Sequence, residues 1–518
     1  MAEAVTVVGK PVERKGLREK LTGQAQYTAD LKLPGMLYGK VLRSPHAHAR
    51  VLRVDASRAL QLPGVHAVLT PFNVPQGLVD PDMPILDTEV RFVGDEVAAV
   101  VAEDEDLAEE ALGLIEVEYQ VLPFVLDPEE ALQPDAPRVH AEGNLVDGKP
   151  MVLERGSVEE GFAQADLVIE GNYRTQVHSG AALEPRAALA TWEDGHLTIW
   201  KSSRGVHVDR AHLARTLDLP LERVRVIGGF LGGGFGNKDE GRLGALAALL
   251  ARETGRPMRI EYTRQEEFVA GRVRPETLVY LKVGVKRDGT ITAIYARSVM
   301  NSGAYTASSP RVLRRVGQAA LYLYTCPSAK FEGFLAYTNC PVGGSYRGLG
   351  ALQGHFALEV HMDKVAEALG MDPLEFRLRN GVKPEGQPGV RQTPPDQIVD
   401  TQPVEGGIPF SSNGLEECLR KGAQAIGWQQ RRPPNSDAGP LKRGMGVAMC
   451  IYRGGPAYEE SGAEVRVSRD GTVQLLAGVM EVGEGVATVL AQICAETLGV
   501  RYEQVQTLLA DTKQTLKA

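Results

Sequence analysis

A β-branched run, Val224 to Ile227, feeds a glycine cluster broken only by Phe230, Leu231 and Phe235, and the cluster ends at Asn237-Lys238. This unit constrains the chain more than any other stretch. An acidic turn, Asp239-Glu240, follows, and then an apolar helix from about Leu243 to Glu253. A strand that dissolves into glycines and restarts as a helix leaves backbone N–H groups free at the positive end of a helix dipole. That setting suits an anion or a polar cofactor. Gly232, Gly233, Gly234 and Gly236 lack a Cβ, so the backbone there can turn sharply and lie against a ligand. Neither common nucleotide fingerprint is present. No G-x-G-x-x-G follows the strand, and Lys238 lies between Asn237 and Asp239, so no P-loop can be written.

Two further loops share this design. Pro341 to Gly350 leads into a helix with Leu358, Met362, Val365, Ala366 and Leu369 on one face. Met480 to Gly485 leads into a helix expected to bury Val489, Leu490, Ile493 and Leu498 before Gly499 ends it. Three converging helix N-termini suit a large, polar, anionic cofactor, and three unrelated tight turns are the plain alternative. Glycine is abundant enough for either, with 57 residues, about 11% against a usual ~7%. Arg347, between tyrosine and glycine at a helix mouth, suits bidentate binding of a phosphate or oxo group, or else a surface ion pair. Asp239 and Glu240 either favour the following helix dipole or face a ligand. His207, His212, His355 and His361 show no metal-ligand spacing and read as structural.

Bulk properties narrow the function classes. With 518 residues the chain has room for two to four domains, and 43% hydrophobic and 24% charged residues are ordinary globular values. A net charge of −9 without a basic tract argues against nucleic acid as a partner. The amino terminus has no basic, apolar leader, and no run is long enough to span a bilayer, so the expected location is cytoplasmic. Cys326, Cys340, Cys418, Cys450 and Cys494 are scattered without a C-x-x-C pair, which argues against an iron–sulfur cluster or zinc held by this chain. Most are expected to be buried apolar fillers.

In chain order, residues 1–135 alternate strands (41–44, 49–54, 97–102) with a helix over 104–115 and read as a compact α/β domain. A proline-bearing stretch, 133–150, reads as a linker. A second unit, 151–382, holds a hairpin across Asp194-Gly195, the first two glycine loops, and strands 278–285 and 291–298. Residues 383–441 form a proline- and glycine-rich connection around one helical piece, and 442–518 begin a last unit with a hairpin, a helix and a strand. Such a start leaves an unpaired strand edge and an uncovered helix face for another chain to close.

With these motifs in order, the sequence resembles the molybdenum-cofactor-binding large subunit of the xanthine dehydrogenase and aldehyde oxidase family of molybdenum hydroxylases. Lys20 to Asp30, Arg43-Ser-Pro-His-Ala-His48 and Gly94 to Val100 look like its hammerhead α/β domain. Leu183-Glu-Pro185, Gly232 to Lys238, Tyr346 to Gln353 and Glu481 to Gly485 are similar to its cofactor-domain motifs, in order. The resemblance implies an α+β (mixed α/β) chain: a hammerhead domain, a first molybdopterin-binding domain, and the first part of a second. It implies a molybdenum–molybdopterin cofactor, in bacteria often the cytosine dinucleotide form, and oxidation of an aromatic heterocycle or aldehyde with water-derived oxygen. Electrons would leave through [2Fe–2S] and FAD partner subunits. Carried over by position, the cofactor-binding residues are Arg204, Gly233, Gly234, Phe235, Gly236, Arg347, Gly483, Glu484 and Gly485, with no protein side chain on the metal. Asp239 and Leu349 would face the substrate.

Departures from the family pattern carry information. Arg204 stands where the family has glutamine, and Glu484 replaces the glutamine of its Met-Gly-Gln-Gly loop, exchanging a donor for an acceptor-only carboxylate. Leu349 stands where the xanthine enzymes carry phenylalanine, and Gly348 where carbon monoxide dehydrogenases carry cysteine, which argues against both substrates. The family's catalytic glutamate lies beyond this chain, so a second molybdopterin-domain chain is expected to supply it. The alternative is a non-catalytic binding or assembly protein that retains the fold.

Overall fold

The computed structural model describes residues 7–238, 241–385, 391–393, 410, 412–433, 436–452 and 461–517. The amino-terminal part contributes β1 (Leu37–Arg43), β2 (Val65–Leu69) and β3 (Glu96–Ala102). The middle contributes β4 (Met151–Arg155), β5 (Leu167–Thr175), β6 (Ala187–Glu193), β7 (His196–Lys201), helix α1 (Val206–Thr216), β8 (Val224–Ile227), α2 (Arg242–Thr254) and β9 (Met258–Glu261). It continues with β10 (Thr277–Val285), β11 (Ile291–Gly303), α3 (Ser309–Tyr322), β12 (Ser328–Tyr337) and α4 (Ala351–Leu369). The last part adds β13 (Ala463–Val467), β14 (Val473–Ala477), α5 (Val486–Leu498) and β15 (Val505–Leu509).

One seven-stranded sheet, in the order β8-β7-β6-β9-β1-β3-β2, draws strands from both sides of the proline-bearing stretch. Its join is the parallel pairing of β1 with β9, Leu37 opposite Met258. The β6–β7 hairpin pairs Leu189 with Trp200 and turns at Asp194 (φ 48°) and Gly195, as the Asp-Gly turn chemistry requires. Helix α2 buries every residue from Arg242 to Ala251. Its small residues let it lie close to β6, where the Trp192 indole donates to the Ala248 carbonyl at 2.8 Å. This packing fixes the two ends of the first glycine loop, because β8 and α2 flank it.

A second sheet runs β5-β10-β11-β12-β4, with the short strand Arg391–Thr393 at its edge. Helices α3 and α4 cover it. The expected face of α4 is the one buried: Leu358, Met362, Val365 and Ala366 are in the core, and Leu369 packs against it. Sequence patterning carries no separate signal for α3 or β12, which fill the span between β11 and the second glycine loop. The 133–150 stretch is packed rather than loose. Asn144 donates to the carbonyls of Ala131 and Pro137 and accepts from Val139 N–H at 2.8 Å, so the local backbone is paired from within.

The last unit is a three-stranded sheet, β13-β14-β15, with α5 on one face. Here the expected helix face is corrected. Ala487, Ala491, Cys494 and Ala495 are buried, whereas Val489, Ile493 and Leu498 are exposed. Of the four expected residues only Leu490 packs against this core, beside the small-residue face of α5 that meets β14 and β15. The cysteine expectation also needs correction, since only Cys326 and Cys494 are buried and Cys418 and Cys450 are exposed.

Candidate functional site

Strand β8 delivers the chain to Gly228, where a Cβ would come within 2.1 Å of the Met480 sulfur. Glycine here lets the first loop and the start of the third lie in contact. The same strand end is tied to the last unit by Gly228 N–H to the Ala510 carbonyl (2.8 Å) and by the Arg225–Asp511 ion pair (2.6 Å). Further on, Gly234 lies against Val482, about 4 Å from where its Cβ would be.

The second loop closes on the first from the other side. Arg347 N–H donates to the Phe235 carbonyl at 2.8 Å. Gly236, at φ 94°, lies against the backbone of Ser345 and Tyr346. Phe235 (φ 50°) and Leu349 (φ 27°) are non-glycine residues in left-handed conformations, which cost on the order of 1 kcal/mol or more each and persist only where the surroundings hold them. The surroundings are identifiable. The buried Arg274 guanidinium donates to the Arg347 carbonyl at 2.5 Å and to Gln353 Oε1 at 3.2 Å, and stacks 4.6 Å over the Tyr346 ring. The His178 ring lies 5.2 Å from the same tyrosine.

Glu184 organises the floor of the first loop. Its Oε2 accepts from Gly232 N–H and from Lys238 Nζ, both at 2.7 Å. Lys238 is fully buried, and burial holds its ammonium below the ordinary lysine range, only partly offset by Glu184. Two buried acceptors beside this loop, Glu184 Oε1 and Asn237 Oδ1, have no donor among the described residues. Buried acceptors of this kind are costly unless a ligand or water donates to them.

The first and second loops therefore meet at Phe235, Gly236 and Arg347, and the first and third at Gly234 and Val482. Arg347 is exposed, and its guanidinium makes no hydrogen bond among the described residues. Arg204 is exposed on the turn before α1, a helix whose His207 lies against Gly478. Leu349 is half-buried and packs against the core of the second sheet. Asp239 lies outside the described residues. Gly483 and Glu484 are exposed.

The expectation of free amides fails at the third loop. The Glu481 carboxylate accepts from Gly483 N–H (3.1 Å), Gly485 N–H (3.0 Å) and Ala487 N–H (3.2 Å), and Arg14 pairs with it at 2.8 Å. Burial raises the Glu481 pKa, but these hydrogen bonds outweigh it and hold the carboxyl below its usual range. Glu484 accepts from Val482 N–H at 3.0 Å, so it too serves its own loop. Sequence reasoning missed Arg274 and Arg14 altogether; Glu184 and Glu481 stood in the quoted Leu183-Glu-Pro185 and Glu481 to Gly485 motifs, but their organising roles did not show there.

Other cavities are of a different kind. A cavity of about 50 Å³ lies among Arg43, Glu96, Arg186, Lys201, Arg242 and Arg272. It has room for one or two waters, and Arg43 Nη2 and Glu96 Oε2 are the polar atoms left for them. An open apolar groove of about 610 Å³ runs along Leu352, Phe356 and Val360 of α4 to Ile451 and Tyr452. Among the described residues no cluster of metal-binding side chains is present, and no helix is long and apolar enough to cross a membrane.

Comparison with known proteins supplies three family matches. Residues 22–123 match the a/b hammerhead domain of aldehyde oxidase and xanthine dehydrogenase, and residues 139–381 and 421–518 each match a molybdopterin cofactor-binding domain. A probable xanthine dehydrogenase subunit of Bacillus subtilis is 35% identical over 522 residues, which is 99% of this chain and 67% of that protein. The nicotinate dehydrogenase large molybdopterin subunit of Eubacterium barkeri is 32% identical over 438 residues, 83% of this chain and all of that one. Among solved structures, the aldehyde oxidoreductase of Desulfovibrio desulfuricans superposes with a TM-score of 0.89 at 26% identity, covering 99% of this chain and 58% of its own. The chain thus spans about two thirds of the Bacillus relative and somewhat less of the solved enzyme.

Proposed function

Because this chain belongs to the aldehyde oxidase and xanthine dehydrogenase family of molybdopterin-binding oxidoreductases, we propose that its three loops hold a molybdenum–molybdopterin cofactor for the oxidation of an aromatic heterocycle or aldehyde. The observation that carries this reading is the closure of the second glycine loop on the first, Arg347 N–H on the Phe235 carbonyl, with a strained residue on each side.

The residues fit such a group. Glu184 Oε1 and Asn237 Oδ1 are buried acceptors suited to ring N–H donors, and the Arg347 guanidinium, without a partner among the described residues, suits an anionic or oxo group. Phe235 and Gly236 would border the group, with Gly233, Gly234, Arg204, Gly483, Glu484 and Gly485 around it and Asp239 and Leu349 toward the substrate. When bound, the cofactor supplies the two-electron chemistry that places water-derived oxygen on carbon. This chain's part is to hold and orient it through fixed dipoles on rigid elements. The cytosine dinucleotide form is the variant we favour.

The general base, a glutamate, would come from a second molybdopterin-domain chain, and electrons would pass to [2Fe–2S] and FAD subunits, all in the cytoplasm. The exposed apolar residues of α5 and the groove on α4 support a partner of that kind. The test is metal and pterin analysis of the complex purified from its native source. We expect about one molybdenum per chain and a second chain with the remainder of the cofactor domain. A complex with neither overturns the reading and leaves the non-catalytic alternative, which the self-capped third loop favours.

A further inference from the structure

Residues 7–30 precede the hammerhead strands in sequence, yet much of this segment packs on the other end of the chain. Val7 and Val8 N–H both donate to Glu496 Oε2, at 2.9 and 2.7 Å. Gln492 Nε2 donates to the carbonyls of Val7 and Lys10, and Tyr502 donates its hydroxyl to the Glu13 carbonyl at 2.8 Å. Lys15 binds twice, through N–H to Thr488 Oγ1 (3.0 Å) and through Nζ to the Val505 carbonyl (2.7 Å). Val7 belongs to the core of the last unit, and Val12 packs against that core. Arg14 Nη2 then reaches the third glycine loop itself, at 2.8 Å from both Glu481 Oε1 and the Gly483 carbonyl.

The next residues grip the first glycine loop. The Phe230 ring lies against Gly16, under the Lys20 ammonium at 5.3 Å, and 6.2 Å from the Tyr27 ring. One short segment therefore touches the first loop at Phe230 and the third at Gly483, two stretches some 250 positions apart in the sequence. We propose that residues 7–30 are a strap that sets the third glycine loop against the first, with Arg14 and Glu481 as its positioning pair.

A loop with glycines at 483 and 485 has little of its own to fix it, since each glycine gives up more backbone freedom on ordering than any other residue. Glu481 supplies the order by accepting three alternate amides, those of Gly483, Gly485 and Ala487, and a carboxylate so placed needs a cation to hold its own orientation. Arg14 is that cation, and it also grips the loop backbone at Gly483. Glu481 and Arg14 act through the loop and not on a substrate. Their relevance to a cofactor rests on the reading proposed above, whereas their hold on the loop does not.

Hydrogen–deuterium exchange of the intact chain tests this, read on the peptide spanning 480–487. In Arg14→Met we expect exchange there to rise about tenfold, with Arg14→Lys intermediate and the surface control Arg466→Met unchanged. Peptides from β14 and β15 should exchange as before. Exchange at 480–487 equal to that of the unmodified chain overturns the proposal. So does a rise spread equally over β14 and β15, which would make Arg14 a general stabiliser of the unit. The functional half is read as molybdenum bound per chain after expression in a molybdenum-cofactor-producing host. We expect Arg14→Met to retain at least threefold less than the unmodified chain, and equal retention overturns the link between strap and cofactor. If the unmodified chain itself binds no molybdenum, the proposed function fails, and the exchange result alone still decides the strap.

Discussion

The second sheet and the last unit use one construction, a glycine loop leading into a helix over a sheet, but on scaffolds of different completeness. In the second sheet β10 and β11 pair over nine residues, helices α3 and α4 cover the face, and Phe331 sits fully buried between Gly317 and Gly333. In the last unit Val465 and Val467 of β13 lie directly opposite Leu475 and Val473, hence on the same face. Yet α5 buries only the β14 pair and leaves the two β13 valines 45% and 64% exposed. A helix that turns Val489 and Ile493 outward and alanines inward is packed against half a layer. A complete core holds its loop through its own helices, and an incomplete one borrows order from a distant strap.

Three experiments press on this difference. The largest effect should come from Phe331→Ala, which opens a cavity in the complete core and should cost about 3–5 kcal/mol, against less than about 1 kcal/mol for Val467→Ala. Denaturant unfolding followed by hydrogen exchange in each region would show it, and similar losses at the two sites would erase the contrast.

Acidification should also separate the regions. Burial holds the imidazoles of His355 and His361, both on α4, down at about 4 from an ordinary 6.5. The unfolded chain then binds protons that the folded one refuses, so stability falls as pH drops from 6.5 toward 4, by up to about 3 kcal/mol for each. The last unit has no histidine between residues 461 and 517. Its carboxylates at Glu481, Glu496 and Asp511 lie below their usual ranges, so their contribution is full above the ordinary carboxylate range and is lost only as the pH falls from there through the lowered values. Exchange at α4 should therefore accelerate at pH 5 while that at α5 stays put, and the reverse order would contradict the burial of these histidines.

The smallest effect on stability is expected from Val467→Lys, within about 0.5 kcal/mol because the side chain faces solvent. Its effect on association should be larger, lowering both self-aggregation and any capture of a partner at the β13 edge. A loss of stability above about 1 kcal/mol would mean that the face is already covered.

Much of this was legible from the sequence. Strand β8, the Asp194-Gly195 hairpin, the buried face of α4 and the three loop-to-helix junctions follow from local patterning, because period and turn chemistry are carried by neighbouring residues. The α5 face misled in part, because Val489 and Ile493 share the period of a core stripe with Leu490, yet only Leu490 packs inward and nothing local tells them apart.

Local chain chemistry set where glycine would let the backbone turn, which helices follow, and, through four ordered motifs, the family. Long-range packing settled that β1 and β9 join two units into one sheet, that Arg347 N–H meets Phe235, and that Arg14 holds Glu481 in the third loop. Those contacts join residues more than a hundred positions apart. Pairing over such distances depends on the summed packing of whole sheets, which no window of sequence contains.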